Sequence, residues 1–113
     1  MRLQQRLLAD EVRGTFAKAW NWVDAFLQCV HGATSDTYRF LRQAMATRRV
    51  VLLLDGLDEG GAKRAEIERH VVEVLARQGH TMLVTSRPAG VRKERFVKHF
   101  HPLQLCPLTE EQQ

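Results

Sequence analysis

Three carboxylates, Asp55, Asp58 and Glu59, follow directly on the apolar run Val50-Val51-Leu52-Leu53-Leu54, with Gly56 at the bend between them. The run reads as a strand buried on both faces, as in a parallel sheet. Such sheets bind ligands just beyond the carboxyl ends of their strands, where Asp55 would sit. A carboxylate there can hold the Mg²⁺ of a bound nucleotide, and a further acid can orient or deprotonate the attacking water. Asp and Gly are also ordinary turn residues, so the same letters describe a strand that merely ends in an acidic turn.

A second cluster lies downstream, where His80-Thr81-Met82-Leu83-Val84 runs into Thr85-Ser86-Arg87-Pro88. Pro88 has no N–H for a sheet ladder, so this strand ends before it. Between the two strands, residues 62–78 carry a helical pattern, with Ile67, Val71, Val74, Leu75 and Gln78 on one face and Gly79 as the stop. Strand, helix, strand in this length is a βαβ unit with a right-handed crossover. Both strand ends then open on the same edge of the sheet, and the carboxylates and Arg87 converge there. A phosphate contact is one use for Arg87; a solvated turn is the other.

Taken together, LLLDGLDE (Leu52–Glu59) followed by LVTSRP (Leu83–Pro88) resembles the NACHT domain, a branch of the STAND class of signal-transducing P-loop NTPases. The tail LQLCPLTEEQ (Leu103–Gln112) is similar to the family segment in which a strand leads into a helix. The resemblance covers residues 48–112 and is weak before them. It implies that Asp55 coordinates magnesium, that Asp58 and Glu59 are the hydrolytic acids, and that Arg87, with Thr85 and Ser86, faces the terminal phosphate. It further implies a cytoplasmic molecular switch driven by ATP or GTP with Mg²⁺. That switch would work beside sensor or effector domains of a longer signalling protein, with self-association on activation.

The phosphate loop Gly-x-x-x-x-Gly-Lys-Ser/Thr is missing. Its nearest approach, Gly56 to Gly61, is followed by Ala62 and lies after the strand it should precede. The expectation is therefore an α/β chain that is a fragment of a parallel-sheet P-loop NTPase domain. Residues 1–47 would be a helical segment and 48–113 the core bearing the Walker B and sensor motifs. A degenerate, interaction-only module that no longer binds nucleotide is the rival. At 113 residues the chain is one domain at most. Two strands are evident, and a third is possible near Phe100–Leu105.

The N-terminal half reads as helical. Phe16, Ala19, Trp20, Val23, Phe26, Leu27 and Val30 keep a 3.6-residue period, predicting one amphipathic helix to about His31. Gly14 separates it from a shorter helix around Leu3–Val12. Thr34-Ser35-Asp36 offers caps for a helix through about Thr47, with Tyr38, Leu41, Ala44 and Met45 inward. Trp20 fits core packing, and Trp22 falls off the stripe.

The chain carries 17 Lys and Arg against 13 Asp and Glu, with several of the basic residues between Arg87 and Lys98. Such a cluster could meet nucleic-acid phosphates, as in a basic nucleic-acid-binding domain, but aromatic residues hardly interleave it, and a solvated loop and short helix beside a nucleotide site is the better account of the same residues. Cys29 and Cys106 lack metal-binding spacing and imply neither a disulfide framework nor a zinc site. His99 and His101 share a face if extended, without a third ligand nearby. No stretch approaches membrane-spanning length, and the start has no apolar segment suited to a signal peptide.

Overall fold

The computed structural model of the chain describes residues 14–59, 61–87 and 93–112. Helices α1 (Thr15–Lys18), α2 (Trp22–His31) and α3 (Asp36–Ala46) lead into strand β1 (Val51–Leu54). Two single 3-10 turns, Leu57–Glu59 and Gly61–Lys63, then open helix α4 (Arg64–His70). This helix widens into a π-helical stretch, Val71–Leu75, before strand β2 (Thr81–Val84). A short helix α5 (Lys93–Phe96) and a 3-10 turn, Glu110–Gln112, complete the described elements. The fold is mixed α/β around a two-stranded sheet. β1 and β2 run parallel, with Val51 opposite Thr81 and Leu54 opposite Val84.

The crossover helix behaves as its periodicity predicts. Val71 and Leu75 are buried and Ile67, Val74 and Gln78 half-buried, while Gly79 stops it with a φ of 83° that suits glycine. Leu52 and Leu57 join Val71 and Leu75 in the core, with Leu54, Met82, Val84, Val23, Phe96 and Phe100 packed around them. All of this lies on one side of the sheet. Val51, Leu53 and Leu83 on the other face are exposed. The expected burial on both faces is thus corrected: the strand is half-buried, because α4 and its packing partners gather on a single face.

The predicted single helix from Phe16 is two. Ala19 turns extended (φ −73°, ψ 162°) at the end of α1, and Asn21 starts α2 afresh by accepting the Asp24 N–H at 2.8 Å. A side chain that can bond the backbone locally competes with helix continuation, and here it wins. α3 follows expectation: the Ser35 hydroxyl caps the Tyr38 N–H at 3.1 Å, and Met45 is buried. The shorter helix expected around Leu3–Val12 lies outside the described residues.

No third strand forms among described residues 100–109. Phe100 stays with the core, edge-to-face with Phe96 at 5.3 Å. Beyond it Pro102 lacks the donor a ladder needs, and Leu103 and Leu105 are open to solvent. The helix expected after Leu108 is only a 3-10 turn, closed by the Thr109 N–H on Gln112 Oε1 at 3.0 Å.

The helical half is fastened to the βαβ unit by polar contacts. Asn21 Nδ2 donates to Gln78 Oε1 at 3.0 Å, and Gln78 Nε2 donates to the Trp20 carbonyl at 3.2 Å. The Trp22 N–H donates to His70 Nε2 at 3.0 Å, and the two rings stack 4.2 Å apart. Arg48, the one described non-glycine residue at positive φ (58°), spans the gap from the end of α3 to the carbonyl of Gln78 at 2.7 Å.

Candidate functional site

The two motifs meet at the carboxyl ends of the paired strands. Pairing continues one residue past β2: the Thr85 N–H donates to the Leu54 carbonyl, and the Leu57 N–H donates to the Thr85 carbonyl, both at 2.9 Å. That register sets the Thr85 hydroxyl between two groups of the first motif. It donates to Asp55 Oδ1 and accepts the Gly56 N–H at 3.0 Å. One residue further, the Ser86 hydroxyl and the Arg87 N–H each lie 3.3 Å from Asp58 Oδ1. Arg87 Nε stands 3.8 Å from Asp58 Oδ2. The expected convergence of Asp55 and Asp58 with Thr85, Ser86 and Arg87 is therefore present.

Gly56 makes the bend possible for two reasons. Its φ is 73°, a left-handed conformation that side-chain-bearing residues adopt only at a cost. A Cβ at this position would also meet Glu59 Oε2 at 2.9 Å. The acidic loop thus folds tightly enough for the Glu59 carboxylate to turn back over the glycine.

The carboxylates differ in their surroundings. Asp55 is exposed, with one oxygen engaged by Thr85. The Asp58 side chain is 14 % exposed and that of Arg87 85 %. Desolvation pushes the Asp58 carboxyl up, but the Arg87 N–H, its own N–H, the Ser86 hydroxyl and the Arg87 guanidinium outweigh it. The net effect holds Asp58 below the usual aspartate value of 3.8. A carboxylate stabilised as the anion is a weak base. This geometry suits Asp58 to anchoring the 85–87 loop better than to taking a proton from water.

Magnesium beside a nucleotide keeps several waters and takes one or two protein carboxylates plus phosphate oxygens. An exposed Asp55 steadied by a hydroxyl fits that requirement. Among the described residues no three His, Cys, Asp or Glu side chains gather as an all-protein metal cage, and His99 and His101 are simply exposed. The other half of a nucleotide site, a glycine-rich cradle with its lysine, has no counterpart anywhere in the sequence. Of the groups such a site would use, the chain supplies carboxylates and an arginine but no cradle.

Several buried polar residues escaped the sequence reading. Asp24, 2 % exposed, accepts from the Tyr38 hydroxyl at 2.5 Å and Gln28 Nε2 at 3.2 Å, with Arg42 Nε at 3.4 Å. Burial, followed by the Asp24 hydrogen bond and charge, raises the Tyr38 phenol above 10.0. Glu68, also 2 % exposed, lies between Arg64 Nε at 3.4 Å and Arg95 Nη1 at 3.6 Å. Burial drives His70 down to about 4. His80 falls through burial and then the charges of Arg48 and Arg42. The Asn21-x-x-Asp24 capping pattern and the i,i+4 spacing of Arg64 and Glu68 were the signals available in the sequence.

The basic stretch is partly committed, since Arg87 and Arg95 already face Asp58 and Glu68; residues 88–92 lie outside the described set. Two open depressions of about 300 and 290 Å³ lie along α4 and the π-helical stretch, lined by Trp22, Glu66, Arg69, His70, Glu73 and neighbours, and not at the strand ends. Among the described residues no helix is long and apolar enough to cross a membrane. Comparison of the chain with protein-family models, with curated proteins and with solved structures gave no match.

Proposed function

We propose that this chain is the Walker B and sensor portion of a NACHT-type nucleotide switch, acting with Mg²⁺ and ATP or GTP in a longer signalling protein of the cytoplasm. One observation carries the reading. Asp55, with Thr85 on its carboxylate, and Asp58, with Ser86 and Arg87 upon it, stand at the ends of adjacent parallel strands. In this reading Asp55 holds the metal, directly or through water. Asp58 fixes the loop that presents Arg87, and Glu59 is the acid that faces the attacking water. Arg87 leaves Asp58 for the terminal phosphate when nucleotide is bound, so that nucleotide favours one of two arrangements. The phosphate cradle comes from chain beyond these residues.

The test uses these residues joined to a phosphate loop. Asp55→Asn should abolish the Mg²⁺ dependence of nucleotide binding. Glu59→Gln should spare binding and slow hydrolysis. Arg87→Ala should weaken ATP while leaving ADP unchanged. Equal losses for ATP and ADP in Arg87→Ala would remove the sensor role. An unaltered Mg²⁺ response in Asp55→Asn would remove the switch reading altogether. The rival interaction-only module draws support from the same Asp58–Arg87 pair, which already satisfies both charges without a ligand. It requires that neither nucleotide bind at any Mg²⁺ concentration.

A further inference from the structure

Two apolar surfaces stand open on the same chain. On the sheet, alternate residues point away from the core, leaving Val51, Leu53 and Leu83 57, 71 and 55 % exposed. In the segment after Phe100, Leu103, Leu105 and Leu108 are 83, 97 and 63 % exposed. Among the described residues no backbone hydrogen bond ties down 101–108. Because both surfaces are open at once, the segment does not cover the face of its own copy.

The two surfaces match. When the segment lies extended against a face, Leu103 and Leu105 fall on one side of it, at the same period of two that sets Val51 and Leu53 on one face of β1. Neither partner carries a charge: residues 102–109 are Pro-Leu-Gln-Leu-Cys-Pro-Leu-Thr, and β1 and β2 hold no ionisable side chain. The net charge of +4 therefore has no focus in this contact. Pro102 and Pro107 flank Leu103 and Leu105 and deny the segment the continuous N–H row that an open-ended strand stack would need.

We infer that the segment Leu103–Leu108 of one copy lies across the Val51–Leu53–Leu83 face of a second copy, and the reverse, closing a two-fold dimer. Area favours this occupant. A buried Leu or Val removes on the order of 100 Å² of apolar surface from water. Five such side chains, Val51, Leu53, Leu83, Leu103 and Leu105, roughly 70 % exposed, offer roughly 350 Å² per copy on that basis. Exchange in both directions buries on the order of 700 Å² of apolar surface, and homodimer interfaces are about 65 % apolar. The whole contact then reaches roughly 1,100 Å², above the ~1,000 Å² a specific interface needs. A single one-way contact supplies about half of this and associates more weakly. Reciprocal exchange is also the isologous arrangement that closes without leaving a free surface for a third copy. The inference is independent of nucleotide binding.

Sedimentation equilibrium of the 113-residue chain tests it. The expected result is a monomer–dimer equilibrium at micromolar concentrations. Leu53→Asp and Leu105→Asp, both changes of exposed side chains, should each weaken the dimer by about a hundredfold or more. Circular dichroism should show each variant still folded; Leu83→Thr and Leu103→Ser serve as milder replacements if one is not. The deciding measurement mixes the two variants. The Leu53→Asp copy still owns an intact segment and the Leu105→Asp copy an intact face, so one of the two contacts is restored. The mixture should associate at least tenfold more tightly than either variant alone. A parent that stays monomeric, a mixture no better than its parts, or association that grows past the dimer overturns the inference.

Discussion

Acidification should loosen the join between the helical half and the βαβ unit, and His70 sets the size of the effect. Its Nε2 accepts the Trp22 N–H, which requires an unprotonated nitrogen, and its ring stacks on the Trp22 indole. Burial holds its pKa at about 4 against an ordinary 6.5. The groups that line its surroundings include Glu66, Arg69 and Glu73. The unfolded chain therefore binds this proton at a higher pH than the folded one. The stability contribution is complete above pH 6.5 and is lost as pH falls to about 4. Below that both states are protonated and no further loss arises from this residue. At about 1.36 kcal/mol per unit the full difference is roughly 3 kcal/mol, and partial exposure of the ring reduces it to about 2 kcal/mol. Urea unfolding followed by tryptophan fluorescence, repeated from pH 7 to 4, reads this directly. His70→Gln should flatten the curve by about 2 kcal/mol over that window, because the amide oxygen can accept the same N–H without titrating. Parallel curves for parent and variant would show that His70 titrates freely and that the reasoning fails.

Gly56→Ala should cost about 1–2 kcal/mol from the left-handed backbone alone and should displace the Glu59 carboxylate, seen as altered chemical shifts at both residues. An unchanged stability would mean the loop adopts another path. Asp58→Asn removes the anion that gathers the Ser86 hydroxyl, the Arg87 N–H and its guanidinium. Amide exchange at Ser86 and Arg87 should quicken while that of β1 and β2 stays as it was; unchanged exchange would deny Asp58 its anchoring role. Asn21→Ala loses the α2 cap and strips Gln78 Oε1 of a donor. It should cost about 2–3 kcal/mol, against about 1 kcal/mol for the exposed cap Ser35→Ala. Equal costs for the two would contradict the fastening role given to Asn21.

What the sequence made legible was whatever repeats along the chain. The two apolar runs, the helical face from Ile67 to Gln78 and the Gly79 stop all follow from local periodicity and backbone freedom. They suffice to make the parallel pair and bring Asp55 and Asp58 to Thr85, Ser86 and Arg87. What stayed hidden depends on contacts between distant segments. Asn21 interrupts a faultless helical stripe because its amide caps Asp24 and at the same time reaches Gln78, 57 residues on. Asp24, Glu68 and His70 look like surface residues by type, yet Asp24 and Glu68 are buried and His70 half-buried, each against a partner from elsewhere: Tyr38 and Arg42, Arg95, or Trp22. The apolar run at Val51–Leu54 failed in the opposite sense. Its composition specifies burial on two faces, while the described chain supplies packing for one. The functional assignment inherits this asymmetry. Asp55 and Asp58 meet Thr85, Ser86 and Arg87 through the pairing of two strands whose apolar runs are each legible locally, whereas a glycine-rich phosphate loop has no counterpart in the sequence. Under the switch proposed above, Asp55 held by Thr85 is the metal side of the site, and the outcome of Asp55→Asn with a phosphate loop in place decides whether it is.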